Sequence, residues 1–256
     1  MITVYDSIFT NIKFHNRRVN LMKTRFVLLF TIFVLLAFSK SFAQAGGLNI
    51  TLGFPMGDFK EEIDRLGFGL SGHFLFLAPT DNRPFGIGLN VGYLNYGQET
   101  RREPFSLTIP DVTVDVERSN NLFNFHVLFQ LGFGSGSVRP FVEGLFGGSY
   151  IFTETTIRSR GAEEVASSNN FDDFAWSYGA GGGFLILLSS GEEGDDVGSL
   201  FLDLKARYLF GSEAEYLKEG SVIISNGRVT YQVSKSKTDL LTVHAGVVAY
   251  FNSIFN

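Results

Sequence analysis

The chain has 256 residues, 45% of them hydrophobic, with a net charge of −5, 28 Phe, 29 Gly, 6 Pro and no Cys. The missing thiols exclude disulfides, thiolate metal centres, a cysteine nucleophile and a lipidated N-terminal cysteine. The charge is mild and no stripe of Lys and Arg interleaves with aromatics, which argues against a nucleic-acid partner. So many glycines fit a helical bundle poorly, since each costs about 1 kcal/mol against Ala inside a helix. Phe and Gly with polar residues between them suit pleated strands whose two faces differ.

Residues 1–21 are expected to be a dispensable upstream extension, because the sequence from Met22 has the three parts of a secretory signal. Lys23 and Arg25 form the positive region, Phe26 to Phe38 the apolar run, and Ser41-Phe42-Ala43 the small-residue motif. Cleavage is expected between Ala43 and Gln44, so that residues 22–43 leave and residues 44–256 form the mature domain. The apolar run is shorter than the roughly 20 residues that a helical span needs.

Alternation with a period of two then recurs between breakers. It predicts strands at 47–56, 66–78, 85–97, 120–133, 139–152, 173–188, 199–210 and 240–252. In the third, Phe85, Ile87, Leu89, Val91 and Tyr93 share one face while Gly86, Gly88, Asn90 and Gly92 share the other. In the fourth, Phe123, Phe125, Val127, Phe129 and Leu131 oppose Asn124, His126, Leu128 and Gln130. In the seventh, Leu200, Leu202, Leu204, Ala206 and Tyr208 oppose Phe201, Asp203, Lys205 and Arg207. Short turns at 79–84, 134–138 and 189–198 alternate with long connections at 57–65, 98–119, 153–172 and 211–239. That order is expected of an all-β, up-and-down antiparallel transmembrane barrel of about eight strands, with both termini on the periplasmic side.

The phase of the alternation decides between membrane and water. A closed barrel pairs every backbone donor and acceptor and leaves no edge in lipid. Its outer face must then be apolar, whereas a soluble barrel has the opposite sense. Here Glu143, Asp203, Lys205, Arg207, His73, Asn124, His126, Gln130 and His244 all take the phase opposite the Phe/Leu/Val face. In water, that apolar face would be a very large exposed patch. Tyr93, Phe123, Tyr150, Phe152, Trp176, Tyr178, Tyr208 and Phe210 share the outer phase near the long-loop ends, where an aromatic girdle is expected.

The run GFPMGDFKEEIDRLGFGLSGHFLFL, followed by FGIGLNVGYLNYG, resembles the opening hairpins of the outer membrane protein beta-barrel domain families of Gram-negative bacteria, including OmpA/OmpX-type and OmpW-like barrels. The likeness covers about residues 45–256 and is one of pattern and turn chemistry. It implies an outer-membrane location, with outer-membrane lipid and the barrel assembly machinery as partners. It implies no catalytic residue. Such barrels often end on a terminal aromatic, whereas here Phe255 is followed by Asn256.

Within a lumen just wide enough for side chains, Asp203, Lys205, Arg207 and Glu143 are expected to pair as an ionic core, since an isolated buried charge is costly. An ion path or gate is the competing reading. His73, His126 and His244 could hold zinc only if they converged, and core hydrogen bonding is the expected use. Gly179, Gly181 and Gly183 imitate a phosphate loop, but their spacing is that of inward glycines making room for bulky neighbours. Ser149, Ser177 and Thr242 show no evident His and acid beside them, and there is no G-x-S-x-G elbow, so no catalytic, cofactor or metal residue is assigned. Asn226-Gly227, between Val222-Ile223-Ile224 and Val229, signals a hairpin. It is expected to extend the last two strands beyond the membrane, with a strand partner in 105–117, and to offer an edge to an extracellular protein ligand. The expected function is thus a non-enzymatic barrel with a filled lumen and a structural or binding role at the surface. A narrow channel for small solutes and a lipid-modifying enzyme are the alternatives.

Overall fold

The computed structural model describes residues 44–106, 109–158, 164–191, 197–218, 220–225 and 228–251. The signal, its cleavage site at Ala43, the Asn226-Gly227 turn and the terminal Phe255 lie outside the described residues.

The wall strands are β1 (Gln44–Pro55), β2 (Gly67–Leu77), β3 (Phe85–Ser106), β4 (Ile109–Gly132), β5 (Val138–Arg158), β6 (Glu164–Ser190), β7 (Val197–Gly211) and β12 (Leu240–Phe251). A short helix α1 (Gly57–Glu62) follows β1, and four short strands lie between β7 and β12. These are β8 (Glu213–Tyr216), β9 (Val222–Ser225), β10 (Arg228–Tyr231) and β11 (Ser234–Lys237). The eight wall strands close in the order β1-β12-β7-β6-β5-β4-β3-β2, every pair antiparallel.

Register sets the tilt of the wall. From Leu52 through Phe68, Asn95, Asn121 and Phe152 the ladder reaches β6 at Asp172. From Leu52 the other way, through Val243 and Ala206, it reaches β6 at Gly182. The stagger from 172 to 182 is the shear that closure demands, and with eight strands it leaves an interior that side chains can fill.

Alternation assigns the faces. Inward positions such as Asn49, Thr51, Ser71 and His73 are buried, while Leu48, Ile50, Phe68, Leu70, Phe129, Val142 and Phe184 are exposed. An apolar exterior around a polar interior is the arrangement that a lipid surround stabilises.

Four wall strands run further than the alternation predicts. β3 and β4 remain paired from Gly97–Asn120 to Ser106–Ile109, and β5 and β6 from Thr153–Phe171 to Arg158–Glu164. The segments 98–119 and 153–172 are therefore largely strand, not loop. On β5 and β6 this part is largely polar on both faces and carries little apolar contrast, whereas on β4 Val112, Val114 and Val116 alternate with Thr113, Asp115 and Glu117. Cross-strand polar pairs line it, including Arg102–Asp115 at 3.3 Å, Arg158–Glu117 at 3.3 Å and Ser167–Glu154 at 2.6 Å.

The 211–239 connection also departs from expectation. β8 pairs with β11 just past the ends of β7 and β12, whereas β9 and β10 pair only with each other among the described residues. The wall thus stays at eight strands, and residues 109–119 pair with β3 and β5 instead of with this hairpin.

Candidate functional site

The lumen is built in three layers. The middle one is polar. On β7, alternate residues place Asp203, Lys205 and Arg207 on the inner face, where they are 0%, 5% and 2% exposed. Arg207 donates through Nε (2.5 Å) and Nη2 (3.2 Å) to the two carboxylate oxygens of Glu143 on β5, and through Nη1 to Asn90 Oδ1 on β3 (2.8 Å). Lys205 donates to Asp203 Oδ2 (2.5 Å) and approaches His73 Nδ1 on β2 (3.4 Å). Two cations and two carboxylates are thereby matched within the barrel, as burial of charge requires.

The glycines of β6 make this possible. A Cβ added at Gly181 would lie 2.8 Å from Arg207 Cγ, and one at Gly183 would lie 2.6 Å from Lys205 Cβ. These positions give their volume to the two long cationic chains.

The histidines do not converge, and among the described residues no group of three His, Cys, Asp or Glu could hold a metal ion. His244 on β12 shares Nδ1 with Thr51 Oγ1 (2.9 Å) and Ser71 Oγ (3.0 Å) and Nε2 with Thr242 Oγ1 (2.8 Å). His126 on β4 meets Ser177 Oγ at 3.0 Å, while its Nδ1 is buried without a partner. This Ser–His pair was not evident in the sequence, because it depends on inter-strand register. It lacks the acid that orients a catalytic histidine, and both residues are 2% exposed inside the barrel. Asn124 accepts from Ser149 (2.6 Å), and Gln130 is buried beside Glu143 in the ladder.

Apolar layers lie on either side. Towards the short turns, Ala45, Leu75, Leu185, Phe201 and Val248 are buried. Arg139 covers them, its guanidinium 4.4 Å from the Phe201 ring centre and 5.5 Å from that of Tyr250, a cation–π stack. Towards the long loops, Phe59 of α1 points into the mouth, with ring centres 6.0 Å from Tyr96 and 5.3 Å from Tyr216. Leu94, Leu122, Ile151, Leu209 and Leu240 fill in around it. Sequence reading missed this plug. Its signal is the single apolar Phe59 within the polar run Gly57–Glu62.

The described residues between Ser212 and Asp239 form a lid tied to three elements. Glu215 N donates to Asp173 Oδ2 (2.8 Å) and Ser212 N to Trp176 O (2.8 Å) on β6. Lys218 Nζ (2.8 Å) and Ser234 Oγ (2.9 Å) both donate to Glu62 on α1. Gly220 N reaches Glu99 on β3 at 3.4 Å. The two bonds on Glu62 and the positive charge of Lys218 hold its carboxyl below the ordinary glutamate range.

On the outer surface, Tyr93, Phe123, Trp176, Tyr178 and Phe210 are exposed, and Tyr150, Phe152 and Tyr208 are partly so. They form ring contacts along the wall, such as Phe146–Trp176 at 5.9 Å, Tyr178–Phe210 at 5.6 Å and Tyr150–Phe152 at 5.4 Å.

The fold is similar to that of Neisserial surface protein A (10% identity over 82% of this chain and 96% of that one, TM-score 0.39). It is also similar to that of Ail from Yersinia pestis (13%, 82% and 97%, TM-score 0.33) and to the N-terminal barrel of Pseudomonas aeruginosa OprF (11%, 81% and 97%, TM-score 0.28). No curated protein sequence matches the chain. A family model described as "Outer membrane protein beta-barrel domain" matches residues 42–211, most of the eight-stranded wall, and the chain belongs to that family of outer-membrane barrels.

Proposed function

We propose that this barrel is a closed, non-enzymatic scaffold that presents its raised β3–β6 sheet as a binding surface outside the cell. The long-loop end faces the exterior, the short turns face the periplasm, and the aromatic face marks the outer interface, with outer-membrane lipid and the assembly machinery as its membrane partners. One observation carries the reading. β3 continues from Asn95 to Ser106, ~37 Å along the strand at roughly 3.4 Å per residue. Over this stretch β3, and residues 164–171 of β6, are laddered on one side only among the described residues. An unpaired edge held clear of the membrane suits an extracellular protein that adds a strand to it. A filled lumen contributes rigidity to such a scaffold and gives a solute no path.

The test is to replace residues 99–117 by a two-residue turn and compare surface-displayed variants. The expected result is an unchanged shift between unboiled and boiled bands, with loss of cell adhesion to surfaces that display extended, strand-forming peptides. Equal adhesion by both proteins refutes the proposal, as does adhesion by neither.

A further inference from the structure

We infer that the outer face of the wall carries a seat for one phospholipid of the periplasmic leaflet, with an acyl chain lying in a groove over Gly144 and Ala180. The inference rests on the reading above that the short turns face the periplasm. The ladder sets Ile87 of β3, Phe129 of β4, Gly144 of β5 and Ala180 of β6 in one row, with Leu131 and Val142 two positions nearer the short turns. Paired residues share a face, and Phe129, Leu131 and Val142 are 52%, 56% and 57% exposed on the outside of the barrel. Between these ridges the wall sinks. A Cβ added at Gly144 would meet nothing within 4 Å, and the groove that opens there has a volume of about 750 Å³. Gln130 and Glu143 lie in the row between, but both are buried with their side chains turned into the lumen, so the side chains that border the groove are apolar.

Water does not fill a groove in the hydrocarbon region, and an empty one forfeits the contacts of the atoms that line it. The occupant must therefore be apolar and must follow a narrow recess. The wall of a second barrel is convex and would rest on the ridges, whereas a flexible acyl chain enters between them. Charge completes the assignment at the short-turn end. Arg83 in the 79–84 turn and Arg139 just past the 134–138 turn donate to turn carbonyls, Ala78 O at 3.0 Å and Gly136 O at 3.1 Å. One acid, Asp81, stands against these two cations, while the remaining short turn, 189–198, holds Glu192, Glu193, Asp195 and Asp196 and no cation. A phosphate below the groove thus meets positive charge at the two turns that continue β3, β4 and β5.

The experiment uses the whole barrel, stripped of lipid in detergent and titrated with palmitoyl-oleoyl phosphatidylethanolamine, and counts bound lipid by native mass spectrometry. The expected result is one lipid retained by the parent and lost in Gly144→Leu, whose added side chain fills the groove, with the heat-modifiable band unchanged. If Gly144→Leu does not assemble, Ala180→Leu is read in its place. Equal uptake by the parent and the filled variant overturns the inference, as does a parent that takes up none. Palmitoyl-oleoyl glycerol, which has the chains and no phosphate, is expected to be retained less, and equal retention overturns the assignment to phospholipid. A dimer that Gly144→Leu splits overturns it in favour of a second copy. Orientation is read separately, with protease on intact cells. Cleavage within 212–239 and not within 79–84 keeps the short turns in the periplasm, so that a lack of uptake counts against the groove alone. Cleavage within 79–84 overturns the orientation and, with it, the choice of leaflet.

Discussion

Arg207 uses all three guanidinium nitrogens on Glu143 and Asn90, in a lumen that excludes solvent. Removing one partner of a buried pair leaves an uncompensated charge, which typically costs about 3–5 kcal/mol, whereas replacing both with apolar residues of similar volume is often neutral. Glu143→Gln is therefore expected to lower barrel stability by roughly that amount, and the double variant Glu143→Leu/Arg207→Met to recover most of it. Urea unfolding in lipid vesicles, followed through the single tryptophan Trp176 on the outer face, measures both. If the double variant is as unstable as the single one, pairing is not what governs this layer. Gly183→Ala tests the space the layer occupies. The new Cβ would meet Leu204 O at 2.1 Å and Lys205 Cβ at 2.6 Å, and a rigid backbone oxygen cannot yield as a flexible chain end can. Loss of the heat-modifiable band is expected, and normal assembly would show that β6 and β7 can separate. The inward phase of Asp203, Lys205, Arg207 and Glu143 was legible because a period of two is local. Their partners Asn90 and His73 were not, since the register that joins β7 to β2 and β3 is a property of the closed ring.

The lid behaves as an element held by few bonds. Glu62 receives Lys218 and Ser234 together, and its carboxyl titrates below the ordinary value of 4.5. A group whose pKa is lowered on folding contributes stability above its unfolded value, and loses it as pH falls through the folded one. Attachment of residues 212–239 to α1 is accordingly expected to be complete above pH 4.5 and to weaken progressively below it. Limited proteolysis of the folded barrel with an acid-active protease should cut within 212–239 faster as pH is lowered below that value. Glu62→Gln should already show faster cutting with trypsin at neutral pH, and equal rates for parent and variant would mean that Glu62 does not fasten the lid. The lid also marks the limit of what the sequence discloses at this scale. Its hairpin pattern announced paired strands at 222–231, and β9 and β10 do pair there. The bonds that tie Glu215, Lys218, Gly220 and Ser234 around that hairpin go to Asp173, Glu62 and Glu99, which are far away in the chain. On β4 the alternation of Val112, Val114 and Val116 did announce a strand, but the raised parts of β3, β5 and β6 went unread for a different reason. Alternation shows only where one face is dry, and Arg102, Asp115, Glu117 and Arg158 lie where it is wet.

For the molecule as a whole, closure depends on layers in series. An ion crossing the lumen meets the Phe59–Tyr96–Tyr216 plug, then the matched charges, then the Phe201–Tyr250–Arg139 stack. Resistances in series are governed by the largest, so opening one plug leaves the others intact. Planar bilayers containing the parent protein are expected to show no steady conductance, and Phe59→Ala or Phe201→Ala alone should not change that. Phe59→Ala combined with Phe201→Ala removes two rings from the interior and exposes the charged layer to water on both sides. Solvent then competes for Lys205 and Arg207, the pairs loosen, and brief, small openings are expected. The readout is the open probability across these four proteins at one voltage. A large, stable conductance in the parent would replace the closed scaffold with a channel. Openings in either single variant equal to those in the double would place the whole barrier in one plug and remove the series argument.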